Sequence, residues 1–315
     1  MDISNRSQFI VLAAACTLLA AASATAGERS SGADFLRIEP SARAVAMGGG
    51  FGALVDDVHG LYYNPAGLAT VGRTQMTATH TEWLSGMQNE FFGFAFPAGP
   101  LAWGFSGAYL HAEETERDNV GRPLSTFVVG DGVLTTGIGL RLTGRHHLGF
   151  NVKYLNRTLY HRSANGYAGD FGYQCRLQTG HGNLWRFGVV LKNVGPDMGF
   201  VQKEKLPTEL EAAMAFQPSI GYRRLVTFNF SLKHGNVQDG MTATFGLEAT
   251  LLSRFHVRGG YAYTPDGDEK LRVGFGVDLF EAGRVDFAAL RIGHFSSSLF
   301  LSLTLQMEGK EGKVE

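Results

Sequence analysis

Leu271-Arg272-Val273-Gly274-Phe275-Gly276-Val277-Asp278-Leu279 is the stretch that decides the fold. Its odd positions are all large and apolar, and its even positions are charged or glycine. A period of two places the first set on one face of a strand and the second set on the other. Working outward, the same parity recurs in Leu148, Phe150, Val152 and Tyr154 against Gly149, Asn151, Lys153 and Leu155. It recurs again in Val226, Phe228, Phe230 and Leu232 against Thr227, Asn229, Ser231 and Lys233. About fourteen such segments follow Arg73, near 74–83, 89–97, 101–110, 132–142, 146–159, 166–178, 184–193, 208–217, 225–234, 241–251, 255–263, 270–279, 284–291 and 297–307. Most run to roughly 9–12 residues, the length a tilted strand needs to cross a bilayer, whereas strands of soluble domains average about 5–6.

The connectors fit a barrel with two unlike rims. Ala98-Gly99, Thr143-Gly144-Arg145, Ser253-Arg254 and Phe280-Glu281-Ala282-Gly283 read as tight turns, while 111–131 and 194–207 read as longer loops. Hydrocarbon cannot satisfy a free backbone group, so strands cross it only in a closed sheet. The fold class expected is therefore all-β, a closed antiparallel transmembrane β-barrel of about fourteen strands. Parity turns Arg141, Lys153, Arg176, Arg186, Lys192, Lys233, Arg258 and Arg272 into the lumen, facing Asp170, Glu209, Glu211, Glu248 and Asp278. Both signs inside point to ion-paired ladders. A soluble double-sheet protein would need another layer over its apolar faces, and almost no helical segment after residue 73 supplies one.

Composition agrees. Of 315 residues only 18% are charged while 44% are hydrophobic, with 42 glycines and 23 phenylalanines. A formal net charge of −1 provides no basic field for nucleic acid, and the hydrophobic content excludes a disordered chain. Arg6, the uncharged stretch from Phe9 to Ala22 and the small-residue exit Ala24-Thr25-Ala26 describe a secretory signal peptide over 1–26. Its loss takes Cys16 and leaves Cys175 without an internal disulfide partner.

Residues 27–72 differ: they are rich in glycine and alanine, too apolar for a solvated linker and lack long alternation. They read as a plug, or hatch, in the barrel mouth, ahead of a barrel over 73–307 and a charged tail over 308–315. Gly48 to Gly52 match neither phosphate-binding glycine motif, and Asn64-Pro65 begins a turn.

The run Ser41-Ala42-Arg43-Ala44 through Met47-Gly48-Gly49, then Asp56-Asp57, Tyr63-Asn64-Pro65-Ala66-Gly67-Leu68 and His80-Thr81-Glu82-Trp83, resembles the PorV/PorQ-like family within the FadL-like outer-membrane barrels. The motifs span about 34–97, and the architecture covers the rest. The resemblance implies a fourteen-stranded barrel with an N-terminal hatch, for which Asp56, Asp57, Asn64, Pro65, Ala66 and Gly67 are the candidate residues. It also implies a location in the outer membrane of a Gram-negative-type bacterium, among outer-membrane lipid. Some members serve type IX protein secretion, so one expectation is cargo or translocon docking through 111–131 and 194–207. The other is a FadL-like channel for small hydrophobic molecules, in which Gly104 and Gly107 would bend the third strand and open a lateral exit. One departure is the last strand, which carries Leu299, Leu301, Leu303 and Leu305 to Met307 with no terminal aromatic residue.

No nucleophile elbow, paired-histidine zinc motif or C-x-x-C occurs, so neither catalysis nor a cofactor or metal is expected. His146-His147 fall at an expected tight turn, and Glu113, Glu114, Glu116 and Asp118 in an expected loop with Arg117 and Arg122. At the rim, Glu82 precedes Trp83, which serves either as a membrane-interface anchor or as a hatch contact.

Overall fold

The computed structural model describes residues 31–159, 162–180, 182–220, 223–237, 240–264, 270–279, 282–292 and 296–307. The expected leader over 1–26 and the tail over 308–315 lie outside them. Fourteen antiparallel strands close into one barrel, each paired with its sequence neighbours and β1 paired with β14. They are β1 (Gln75–Glu82), β2 (Gln88–Ala98), β3 (Leu101–Arg117), β4 (Pro123–Arg141), β5 (His146–Leu159), β6 (Arg162–Gln178), β7 (Leu184–Val194), β8 (Glu209–Gln217), β9 (Val226–Gly235), β10 (Met241–Leu251), β11 (Phe255–Tyr263), β12 (Lys270–Leu279), β13 (Gly283–Ile292) and β14 (Ser296–Gln306). No helix among the described residues is long and apolar enough to cross a membrane.

Parity sorts the side chains as expected. Leu271, Phe275 and Phe92 are 61%, 54% and 53% exposed on the outer face, while their neighbours Arg272 and Phe91 are buried inside. An apolar face around a closed sheet suits hydrocarbon, where an unpaired backbone group would cost several kcal/mol.

Two expectations change. The segment 111–131 is no loop: β3 and β4 pair from Leu101↔Leu140 out to Arg117↔Pro123, leaving a tight turn at 118–122. Glu113 through Arg117 are thus strand residues. His146 and His147 likewise open β5, where the His146 ring meets the Tyr173 hydroxyl at 2.7 Å. The wall is consequently taller at β3 and β4, which have 17 and 19 residues, than at β1, which has 8. The connector 195–208 remains a true loop, organised by a bridge between Met198 and Glu204. It marks one rim, and the start of β1 marks the other.

Residues 31–72 fill the lumen as an inner segment. Gly32 lies at the 195–208 rim, its amide donating to the Lys205 carbonyl at 3.1 Å. A 3-10 turn (Asp34–Arg37), helix α1 (Ala42–Ala46), helix α2 (Gly60–Tyr63) and a second 3-10 turn (Pro65–Thr70) follow before β1. Ser41 caps α1 through its hydroxyl, which accepts from the Ala44 amide. The barrel receives this backbone on inward-facing glycines. A Cβ on Gly149 would overlap Pro65 and Ala66, one on Gly246 would overlap Met47, and one on Gly139 would overlap Leu68 and Ala69.

Candidate functional site

So little of the inner segment is regular helix that many of its carbonyls need partners elsewhere. Inward polar side chains of the strands supply them. Gln174 donates to the carbonyls of Gly52 and Val55 at 2.9 and 3.0 Å, Asn151 to Leu61 at 3.0 Å, Lys233 to Gly49 at 2.9 Å and Arg141 to Ala69 at 3.2 Å. In the other direction, the Gly52 amide donates to Glu211 at 3.0 Å.

Asn64 is fully buried and ties the segment to itself and to the wall. Its side-chain amide donates to the Gly52 carbonyl at 2.8 Å and the Tyr173 carbonyl at 3.2 Å, while its oxygen accepts from the Ala66 amide at 3.1 Å. Pro65 takes the first position of the 3-10 turn, where its missing N–H costs nothing. Ala66 is buried, and a Cβ on Gly67 would overlap Val55. The structure therefore gathers Asn64 to Gly67 into one close-packed corner against β5 and β6.

Asp56 and Asp57 do different things. Asp56 meets Arg186 of β7 at 2.9 Å and Arg43 of α1 at 3.6 Å. Burial alone would raise its carboxyl, but Arg186 and Arg43 outweigh burial and hold it at about 2. Asp57 turns back on its own segment, accepting from the backbone amide and ring of His59 at 2.9 and 3.1 Å. Burial raises the Asp57 carboxyl too, and His59 brings it below its usual range. From Arg43 a chain of charges continues through Glu248 and Arg258 to Asp286, with Arg258 contacts of 2.7 and 2.6 Å. Separately, Arg272 places one nitrogen 3.0 Å from each oxygen of Glu39, whose carboxyl is opposed by burial yet lowered by Arg272 and Lys233. The expected ion-paired ladders are thus present at Lys153–Asp170 and Lys192–Glu209, at 2.8 and 2.6 Å. Several of the ladders enlist the inner segment, which parity alone does not reveal.

Along the wall, β3 passes Gly104 and Gly107 with unbroken register to both β2 and β4, so no bulge interrupts its pairing there. Gly104 faces inward and makes room for Leu61, whose side-chain carbons lie 3.1 Å from where a Cβ would stand. Gly107 faces outward, beside Leu134. Two apolar hollows flank this wall. The inner one, about 30 Å³, lies between Phe35, Leu36 and Ile38 of the inner segment and Phe91, Ala108 and Val133. The outer one, about 540 Å³, is a groove lined by Phe92, Gly107, Tyr109, Gly132 and Leu134, and it reaches Phe91, Ala108 and Val133 from the other side. At the rim, Glu82 ends β1 exposed, and Trp83 packs edge-on against inward-facing Phe300 with centroids 6.1 Å apart. Trp83 also packs against the cluster of Val45, Ala46 and Leu290.

The amide donors Gln174, Asn151 and Asn229, the last of which donates to the Gly50 carbonyl, are the contacts sequence reading missed, although their inward parity was visible.

Known structures share this architecture. The toluene transporter TbuX of Ralstonia pickettii superposes with a TM-score of 0.58 at 14% identity, over 86% of this chain and 98% of that one. The toluene transporter TodX of Pseudomonas putida gives 0.58 at 12%, over 84% and 98%. A FadL homologue of Pseudomonas aeruginosa gives 0.50 at 9%, over 82% and 96%. At such identities the likeness is one of fold. A comparison with curated protein sequences finds no match. Residues 12–265, which take in the inner segment and the barrel as far as the end of β11, match one family, and the chain belongs to the uncharacterised protein family UPF0164.

Proposed function

We propose that the protein is an outer-membrane channel for small hydrophobic molecules, with the inner segment as its hatch. The observation that carries this reading is the pair of apolar hollows placed back to back across β2, β3 and β4, with Phe91, Ala108 and Val133 as the shared partition. The inner hollow, at about 30 Å³, accommodates little more than one water. Admitting a hydrocarbon requires Phe35, Leu36 and Ile38 to withdraw, and that is the work assigned to the hatch. Ser106, Gly107, Ala108 and Gly132 keep the partition thin, so the ligand's route runs sideways into the membrane rather than through the charged lumen. Similar folds named as toluene transporters and as a FadL homologue support the same reading.

The finer PorV/PorQ assignment rests on the motifs over 34–97 alone. Its docking role would use the segments 111–131, now the outer β3–β4 hairpin, and 194–207. The test is native mass spectrometry of the detergent-purified full chain after incubation with toluene or a long-chain fatty acid. Retained ligand, released by Ala108→Phe, is the expected result. Co-purifying secretion proteins with no retained small molecule would overturn the transport reading.

A further inference from the structure

At the β1 rim a polar cavity of about 950 Å³ opens between the inner segment and the barrel wall, remote from the apolar hollows. Four carboxylates line it, and each is already engaged: Asp56 by Arg186 and Arg43, Asp57 by His59, Asp278 by Arg284 and His256, and Asp286 by Arg258. The lining guanidiniums are not balanced in the same way. Arg43 and Arg284 are paired, whereas no carboxylate among the described residues pairs with Arg73, Arg176 or Arg254.

Arg176 is the informative one. It points inward from β6, opposite Arg186 in register, and its Nε and one Nη are closed off from solvent with no hydrogen-bond partner. Its nearest opposite charge is Asp56, already held by Arg186 and Arg43, so the Arg176 guanidinium loses hydration without a hydrogen-bonded counter-charge of its own. His59, 2% exposed and also lining the cavity, has its Nε2 buried without a partner. Arg73 and Arg254 stand exposed at the mouth, entering from the start of β1 and from the β10–β11 turn. Around the same rim, Arg141, Arg145, Arg223 and Arg224 are exposed as well. An arginine-rich mouth above a half-buried guanidinium without a carboxylate partner attracts and then grips negative charge.

We propose that this cavity is an oxyanion-binding site, taking a phosphate or carboxylate group between Arg176, Arg73 and Arg254. The group arrives either on a soluble solute or on the headgroup of an anionic lipid from the adjoining leaflet. Neither source depends on the hydrocarbon route.

The experiment is titration calorimetry on the full chain in an uncharged detergent, at low and at raised salt. The probes are inorganic pyrophosphate, short-chain phosphatidylglycerol and, as the zwitterionic control, short-chain phosphatidylcholine. Saturable binding that weakens with salt and falls roughly tenfold or more in Arg176→Gln is expected. Pyrophosphate binding assigns a soluble ligand, and phosphatidylglycerol binding alone assigns a headgroup. Absence of saturable binding by both anions overturns the proposal, as does an affinity unchanged in Arg176→Gln. Should Arg176→Gln lose the compact gel mobility of a folded barrel, Arg254→Gln in its exposed turn gives the same reading, with unchanged affinity again the overturning result.

Discussion

Arg43 of the inner segment and Glu248 of β10, 205 positions apart, form a two-point ion pair in which Nε and Nη2 each lie 3.0 Å from a carboxylate oxygen. Glu248 also neutralises Arg258, so Glu248→Gln leaves two buried guanidiniums short of charge. Breaking a buried pair from one side typically costs about 3–5 kcal/mol. The inner segment of this variant is expected to become sensitive to trypsin while the barrel retains its heat-modifiable gel mobility. Protection equal to that of the parent would show that the pair does not hold the segment.

Acid should act late. The Asp56 carboxyl sits at about 2, below its ordinary 3.8, so its ionised form is favoured in the folded state. Its stabilising contribution is complete above the ordinary value and is lost as pH falls toward about 2. Susceptibility of the segment to pepsin should accordingly rise between about pH 4 and pH 2, with no step between pH 7 and pH 4 from this group. Asp56→Asn should raise susceptibility throughout and flatten the step.

Two glycines separate a seat from a bystander. A Cβ on Gly149 overlaps Pro65 and Ala66, whereas nothing lies within 4 Å of one on outward-facing Gly259. Gly149→Val is expected to expel the inner segment, seen as new proteolysis within 31–72, with the barrel intact. Gly259→Val should change stability by no more than about 0.5 kcal/mol. Equal behaviour of the two variants in proteolysis and thermal gel-shift assays would contradict the seating.

Phe275 is 54% exposed near the middle of β12, on the outer face. If that face meets hydrocarbon, Phe275→Arg destabilises the folded barrel in lipid by about 2–4 kcal/mol. Denaturant unfolding in vesicles measures it, and a neutral effect would place water against that surface.

The barrel was readable because closure in hydrocarbon imposes one rule on every strand, and Leu271 to Leu279 display it unaided. The rule fails where the chain leaves that environment. Glu113 to Arg117 are polar on both faces, so the outer half of the β3–β4 hairpin carried no alternation and read as a loop. Gly104 suggested a bend because a glycine's conformational freedom is visible in sequence, whereas the Leu61 side chain that needs the space is not. For Asn64, the turn was legible from the following proline, but its bonds to Gly52 and Tyr173 depend on a barrel wrapped around it. Asp56 and Asp57 looked alike and act apart, since only Asp56 reaches Arg186.

The inner segment begins beside Lys205 at one rim and joins β1 at the other, where the Met307 amide donates to the Thr74 carbonyl. Everything from residue 32 to residue 74 is thus threaded through the cylinder before its first stave is laid. Reporters fused ahead of residue 31 and behind residue 307 should therefore surface on opposite sides of the membrane.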